Sequence, residues 1–190
     1  MATILFQGVS SLDFSPMTIF YAVSNLANLS SLEVHRLYKL RVDIFVHEQH
    51  TPYAEIEDID AAEHTMHVMA WQATKGEEGA SRQLVGAARL HLDTYEGADV
   101  VRLGRLIVAP AERGTGLAAE LIENSLRFAF ERAPGRDVII AAQTPLQSYY
   151  EGYGFQVCGD PFTEADVPHL PMKLDAAVLS ERFGAAAAAS

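Results

Sequence analysis

The stretch of residues 103–118, LGRLIVAPAERGTGLA, decides the fold of this chain. An aliphatic, β-branched run breaks at Pro110 and passes through the turn Arg113-Gly114-Thr115-Gly116 directly into a helical pattern. The start of a helix leaves several backbone N–H groups unpaired, and together with the helix dipole they attract anions. Glycine lets the main chain approach a ligand closely, and Arg113 adds a fixed positive charge. The stretch therefore predicts a strand, a turn that binds a diphosphate, and a helix.

Other phosphate motifs fit this turn less well. A nucleoside triphosphate loop ends in Gly-Lys-Ser/Thr, a tripeptide that this sequence lacks. A dinucleotide fingerprint places three glycines after the first strand, whereas this turn follows a late strand. The remaining alternative is that the glycines only shape an ordinary connection between two elements.

The residues on both sides of this stretch alternate between strand and helix patterns. Strands are expected at residues 18–22, 65–73, 84–92, 100–108, 138–142, 155–157 and 169–174. Helices are expected from Ser31 to about His47, from Gly114 to about Arg132 and at residues 146–152. The acid-rich residues 53–63 between them are interpreted as a solvated loop. This order predicts an α/β (α+β) sheet covered by helices.

Length and charge restrict the class of protein. The chain has 190 residues, 49% of them hydrophobic, and its 14 Lys+Arg against 25 Asp+Glu give a net charge of -11. A domain of this length buries a core without disulfides, and the single Cys158 forms no internal bridge. Such acidity disfavours nucleic acid and anionic lipid as partners, and no apolar run is long enough to cross a bilayer. We therefore expect a soluble, cytoplasmic protein.

The folded domain is expected to cover residues 17–176. Residues 1–16 carry no basic segment typical of a secretory signal and are interpreted as an N-terminal extension, with Met17 as an alternative start. Residues 177–190 end in a run of alanines and are expected to form a C-terminal tail. A homodimer is compatible with this organisation.

The glycine turn resembles a known coenzyme signature. Arg113-Gly114-Thr115-Gly116-Leu117-Ala118 is similar to the Arg/Gln-x-x-Gly-x-Gly/Ala motif of GNAT N-acetyltransferases, with alanine at the last position. The resemblance implies the GNAT fold, a mixed and mostly antiparallel sheet with a splayed pair of strands 4 and 5 and flanking helices. It also implies that the amides of residues 113–118 hold the pyrophosphate of acetyl-CoA. The main chain of Leu106, Ile107 and Val108 would then pair with the pantetheine arm and orient the thioester.

A second landmark lies at residues 150–155, YEGYGF, where a tyrosine precedes Gly-Phe by four residues. The thiolate that leaves a thioester needs a proton or a hydrogen bond, and a phenol supplies either. The resemblance therefore assigns Tyr150 as the general acid. Tyr149 is the neighbouring alternative and Tyr153 is expected in the core, while a purely structural role for Tyr150 stays open.

The similarity is stronger to the ElaA-like branch of the GNAT superfamily and covers about residues 37–172. The residues that carry it are Leu40-Arg41, Phe45-Val46, Glu48-Gln49, Pro52-Tyr53, Asp58, Asp60, Gly104-Arg105, Ala142-Gln143, Leu146-Gln147 and Pro168-His169. This likeness implies an acyltransferase that uses acetyl-CoA. It does not identify the acceptor, which we expect to be an amine of a small molecule or a peptide.

The acceptor half of the site needs a base, because an alkyl amine is mostly protonated at neutral pH. Glu48 is the candidate, since it ends the first helix and a desolvated carboxylate there would bind a cation or accept its proton. His67 and His169 are the alternatives, on strand-like segments. Each of the three also has an ordinary structural interpretation as a side chain that makes a local hydrogen bond.

The positions of Arg41 and Arg89 predict ion pairs and also suggest a second family resemblance. Arg41 and Arg89 are each expected to pair with acids of the loop at residues 55–60. Their spacing with Phe45, Asp58 and Asp60 also resembles acyl-homoserine lactone synthases, although those enzymes do not generally retain the Arg-x-x-Gly-x-Gly/Ala turn. A non-catalytic module that binds CoA is the other alternative. No metal site is expected, because a strand would point His64 and His67 to opposite faces.

Overall fold

The computed structural model describes residues 18–50, 54–76 and 79–187, which form a mixed eight-stranded sheet with helices on both faces. The strands are β1 (Thr18–Ser24), β2 (Met66–Gly76), β3 (Gly79–Tyr95), β4 (Ala98–Val108), β5 (Asp137–Gln143), β6 (Gln156–Val157), β7 (Phe162–Glu164) and β8 (Val167–Leu174). The helices are α1 (Ser31–Arg41), α2 (Leu117–Arg132), α3 (Gln147–Glu151) and α4 (Ala176–Ala187). The strand order is β1-β2-β3-β4-β5-β8-β6, with β7 paired to β8. None of the helices in these three ranges is long and apolar enough to cross a membrane.

The first helix begins where its sequence signal predicts. The Ser30 side chain accepts a hydrogen bond from the Glu33 N–H, and the Glu33 carboxylate accepts one from the Ser30 N–H, which together form a capping box. After Arg41 the chain widens into a π-helical turn, Val42–Glu48, in place of the uniform helix expected to about His47. Such wide turns occur often at functional sites.

Strands β4 and β5 run parallel and separate after three paired residues. Val100, Val101 and Arg102 pair with β5, and beyond Arg102 the two strands diverge. On its other side β4 carries a bulge, because two residues, Arg105 and Leu106, lie opposite the single Ala88 of β3. Arg105 adopts a φ of 53°, a conformation that is uncommon for a non-glycine residue. The splayed pair implied by the GNAT resemblance is therefore confirmed.

The core lies on both faces of the sheet. On one face α2 inserts Leu121, Ile122 and Leu126, all fully buried, against strand residues such as Val68. On the other face α1 and the π-helical turn bury the side chains of Leu37, Ile44 and Phe45 against Met69 and Trp71. Each fully buried aliphatic side chain contributes about 1.5–3 kcal/mol to stability. The core on the α2 face includes residues of both β4 and β5, whereas the core on the α1 face includes Ile107 of β4.

The C-terminal segment differs from the expected tail. Helix α4 buries two of its own side chains, Leu179 and Phe183, in the core beside α2; they lie one helical turn apart. The Asp137 carboxylate accepts a hydrogen bond from the Ala176 N–H at the start of this helix. The expectation of a tail from residue 177 is therefore wrong for the part of α4 that is described. The expected extension at residues 1–16 lies outside the described residues.

Candidate active site

The glycine turn presents free amides to open space. Helix α2 begins at Leu117 after Gly116, whose φ is 96°, and its first helical hydrogen bond runs from the Glu120 N–H to the Gly116 carbonyl at 3.2 Å. The N–H groups of Leu117, Ala118 and Ala119 therefore have no acceptor within the helix. A Cβ atom added at Gly114 or Gly116 would meet no atom within 4 Å. The turn has the donors and the space that an anion requires.

A cleft of about 580 Å³ lies in front of this turn, and we call it the glycine-turn cleft. Its walls are Leu106, Ile107 and Val108 of β4 on one side and Tyr149 and Tyr150 on the other. Since β5 has diverged, this part of β4 has a strand partner on one edge only. The free edge offers main-chain donors and acceptors to an extended ligand, as strand addition does. Apart from Thr115, the residues that the sequence assigned to the coenzyme thus line one cleft.

The environment of Glu48 differs from the expected one. Its carboxylate accepts two hydrogen bonds from the Arg113 guanidinium, at 2.7 and 2.9 Å, across the rim of the glycine-turn cleft. The Glu48 side chain is 42% exposed. The hydrogen bonds and the charge of Arg113 lower the pKa of Glu48, which weakens it as a base. The expectation of a desolvated carboxylate at this position is therefore wrong.

A second cavity, of about 560 Å³, adjoins the cleft, and we call it the polar cavity. It lies between the diverging strands and the β7–β8 hairpin. Charged and polar side chains that line it are Glu57, Arg89, His91, Arg102, Arg105, Gln143, Glu164 and His169. Gln49, Leu106, Leu146 and Tyr150 line both this cavity and the glycine-turn cleft. The two spaces therefore meet at Tyr150 and its neighbours.

Tyr150 lies between these spaces and keeps little contact with solvent. It is 9% exposed, and its ring packs edge-on against Phe155 with 5.9 Å between the centroids. Its hydroxyl forms no hydrogen bond with another described residue. Burial, and to a lesser extent Tyr149, raise the pKa of Tyr150 to about 12, so the phenol keeps its proton at neutral pH. The more exposed Tyr149 hydroxyl accepts a hydrogen bond from Tyr153 at 3.2 Å.

The loop that follows the first helix is partly buried rather than solvated. Arg41 donates to Glu55 and, at 2.7 Å, to Asp60, and all three side chains are almost fully buried. Arg89 also donates to Asp60 at 2.8 Å, so the expected pairing of both arginines with loop acids is confirmed. Arg105 of the β4 bulge pairs with Glu55. Arg89 and Arg105 of this ion-pair cluster line the polar cavity, so the cluster holds part of the wall of that cavity.

The cluster makes the stability of the fold depend on pH. Burial alone would raise the pKa of Asp60, but hydrogen bonds from Arg41, the Glu57 N–H and Arg89 outweigh burial and lower it to about 2. The unfolded value is about 3.9, so the stabilisation is complete above that pH and is lost as the pH falls through the folded pKa. We expect this loss to be about 2 kcal/mol. The raised pKa of buried Glu55 contributes with the opposite sign.

Urea unfolding at a series of acidic pH values measures this effect. The Asp60→Asn variant removes the titrating group, so its stability should fall less steeply between about pH 4 and pH 2 than that of the parent chain. Equal slopes in the two proteins would show that Asp60 does not carry the acid dependence.

The structure separates the remaining candidate residues. The fully buried His67 ring lies 3.1 Å from the Asp60 carbonyl and lines neither space. His169 lines the polar cavity together with Tyr150. Within the described ranges, no three His, Cys, Asp or Glu residues are arranged to hold a metal ion. His91 is a cavity residue that the sequence reasoning missed, because only the fold brings β3 to this site.

Comparison with known proteins places this geometry in a family. A family model described as an acetyltransferase (GNAT) domain matches residues 33–176. Protein ElaA of Escherichia coli is 30% identical over 146 residues, which cover 77% of this chain and 90% of ElaA. The crystal structure of Escherichia coli ElaA aligns with a TM-score of 0.72 at 28% identity, over 83% of this chain and 100% of that one.

Two further solved structures share the fold. An acyl-CoA N-acyltransferase from Pseudomonas aeruginosa has a TM-score of 0.71 and 34% identity, over 82% of this chain and 99% of that one. A CoA-dependent acyl-homoserine lactone synthase has a TM-score of 0.65 over 89% of this chain and 90% of that one, but its identity of 20% shows likeness of fold alone. The chain belongs to the GNAT superfamily of N-acyltransferases, in its ElaA-like branch.

Proposed function

We propose that this GNAT protein transfers an acetyl group from acetyl-CoA directly to a primary amine of a small molecule or a peptide, with both substrates bound at once. The observation that carries the proposal is the meeting of the glycine-turn cleft and the polar cavity at Tyr150. Direct transfer needs a donor and an acceptor that approach the same point from two sides. The Tyr150 phenol, which keeps its proton at neutral pH, lies where the two spaces meet.

The glycine-turn cleft fits the coenzyme. The free amides of Leu117, Ala118 and Ala119 would hold the pyrophosphate, and the open space beside Gly114 and Gly116 leaves room for it. The free edge of β4 at residues 106–108 would pair with the extended pantetheine arm. Bound there, acetyl-CoA would supply the acyl group as an activated thioester, and Tyr150 would be the proton donor to the thioester sulfur.

The polar cavity fits an amine. Two carboxylates line it: Glu57 is paired with Arg89 and Arg105, whereas no described residue pairs with Glu164, which is therefore the carboxylate available to an ammonium group. Carboxylates bind an ammonium group and favour its approach. As the amine nitrogen bonds to the thioester carbon, the C–S bond breaks and the sulfur takes the proton of the Tyr150 hydroxyl. The proton that the amine nitrogen loses restores the Tyr150 hydroxyl after the amide and CoA depart.

The second candidate function is that of an acyl-homoserine-lactone-synthase-like acyltransferase, which the buried cluster of Arg41, Asp60 and Arg89 favours. The synthase of related fold was solved with SAM and isopentyl-CoA. SAM and a branched acyl-CoA therefore belong among the substrates to be tested. A non-catalytic CoA module would bind the coenzyme without turnover.

Release of free CoA from acetyl-CoA, measured with a panel of amines, tests the proposed function. The panel contains polyamines, amino acids, aminoglycosides, peptides with free N-termini, and SAM. We expect amine-dependent CoA release that Tyr150→Phe reduces. Saturable CoA binding without release for any acceptor would favour the non-catalytic module, and turnover with SAM alone would favour the synthase-like alternative.

The Glu48→Ala variant distinguishes the observed ion pair between Glu48 and Arg113 from the expected role of Glu48 as a base. In Glu48→Ala the Arg113 guanidinium loses its carboxylate partner, and the rim of the glycine-turn cleft carries one negative charge less. We expect acetyl-CoA to bind about two- to fivefold more tightly, because exposed ion pairs have effects of this size. A base role predicts unchanged affinity and a large fall in kcat.

Asp43→Ala is the matched control for this experiment. Asp43 is an exposed acid of the same π-helical turn and pairs with Lys39, away from the cleft. Its removal deletes the same charge and should leave CoA affinity unchanged. Titration calorimetry of both variants measures the difference, and weaker binding by Glu48→Ala would contradict the expected competition.

A further inference from the structure

His169 lines the polar cavity, and a hydrogen bond of its ring indicates the tautomer of the neutral side chain. Its Nδ1 lies 2.8 Å from the Val167 carbonyl oxygen. A carbonyl oxygen only accepts hydrogen bonds, so the hydrogen of the neutral ring is assigned to Nδ1 and the lone pair to Nε2. Nε2 forms no hydrogen bond with a described residue. The ring is therefore prepared to accept a proton at Nε2.

The fold holds this ring in place. The His169 side chain is 9% exposed, and its ring stacks on Phe162 at 5.6 Å with 22° between the planes. In the sheet His169 pairs with Gln143 of β5 and with Phe162 of β7. The ring is held by stacking on one face and by the hydrogen bond at Nδ1, so a base at Nε2 needs little reorganisation during the reaction.

The other candidate bases are less suitable. Glu48 is paired with Arg113 on the rim of the cleft, and the His67 ring lies against the Asp60 carbonyl outside both spaces. His91 also lines the polar cavity, but burial, followed by the charge of Arg89, lowers its pKa to about 4 and makes its ring a weak base. His169 shares the cavity lining with Tyr150, the group that faces the leaving sulfur in the proposed function.

We propose that His169 is the catalytic base, an inference that rests on the proposed acetyl transfer. As the amine nitrogen bonds to the thioester carbonyl carbon, one N–H proton moves to Nε2 of His169. The electron pair of the breaking C–S bond leaves with sulfur, which takes the hydroxyl proton of Tyr150. After the amide and CoA depart, the proton on His169 returns to the Tyr150 oxygen, so transfer from the neutral amine is balanced in protons. An acceptor that arrives as an ammonium ion first releases one proton to solvent.

The His169→Asn variant tests the role of Nε2. Asparagine keeps a side-chain N–H for the Val167 carbonyl and lacks the basic nitrogen. We expect kcat to fall about 100-fold, the usual range for loss of a general base, with CoA affinity within about twofold of the parent value. Added imidazole should restore part of the activity of His169→Ala, which a purely structural role does not explain. A kcat within about threefold of the parent value would overturn the inference.

His67→Asn is the matched control. It also removes a buried histidine whose ring contacts a backbone carbonyl, at a position outside both spaces. Its kcat should stay near the parent value. An equal fall in both variants would show a general effect on the fold and would contradict a specific role for His169.

A separate measurement distinguishes this inference from the proposed function. Nitrogen-15 chemical shifts of the His169 ring report its tautomer without any acceptor. We expect the Nδ1–H form, and an Nε2–H form would overturn the assignment of the base. If the parent chain transfers acetyl to no amine, the proposed function fails, and the tautomer still decides whether His169 carries a free acceptor nitrogen.

Discussion

Replacing Gly116 by valine should weaken acetyl-CoA binding about 100-fold, a change that corresponds to the loss of one or two charge-assisted hydrogen bonds. Gly116 has a φ of 96°, which a β-branched residue adopts only under strain. A new side chain would also occupy the open space in front of the free amides of Leu117 and Ala118. Both effects act on the groups that are proposed to hold the pyrophosphate. Calorimetry of the parent and variant chains measures the change in Kd.

Gly97→Val controls for backbone strain. Gly97 lies in the two-residue turn between β3 and β4, has a φ of 82°, and, like Gly116, has open space where a Cβ would lie. Both variants should therefore lose similar thermal stability. CoA affinity should fall in Gly116→Val alone. Unchanged affinity in Gly116→Val would remove the glycine turn from the coenzyme site.

Tyr150→Phe should lower kcat about 100-fold while CoA affinity stays within about twofold, because loss of a general acid affects the chemical step. The hydroxyl forms no hydrogen bond with a described residue, so its removal disturbs little of the fold. The ring contact with Phe155 is retained. Steady-state kinetics together with calorimetry separate the two quantities.

Tyr149→Phe is the control for this variant. Tyr149 is the adjacent residue and lines the glycine-turn cleft, but it does not line the polar cavity. Its hydroxyl takes part in a surface hydrogen bond with Tyr153. We expect a much smaller change in kcat than for Tyr150→Phe. Equal kcat values for Tyr150→Phe and the parent chain would remove the general-acid assignment.

The strand, turn and helix start that are proposed to bind the coenzyme were predictable because they are local in sequence. Strand, turn and helix start follow one another within residues 103–118, so the free amides at Leu117 and the cleft wall at Leu106 come from one stretch. The capping box of Ser30 and Glu33 is likewise a short-range signal. Backbone geometry at such positions depends mainly on neighbouring residues.

The side-chain pairs around the two spaces were less predictable because their contacts join distant residues. Glu48 and Arg113 are 65 positions apart, and only the fold shows that the Glu48 carboxylate is exposed and paired with Arg113. The acids at residues 55 and 60 look solvated in sequence, and only Arg41 and Arg89 explain their burial. The spacing of Leu179 and Phe183 was the signal for α4, hidden beside a run of alanines.

The central claim is that the glycine turn and the free edge of β4 bind coenzyme A. Titration calorimetry of the parent chain with CoA and with acetyl-CoA tests it most directly. We predict saturable binding at one site per chain, with a Kd at or below the lower end of the range of about 1 μM to 1 mM typical for enzyme substrates. Absence of heat and of saturation at millimolar ligand would contradict the account.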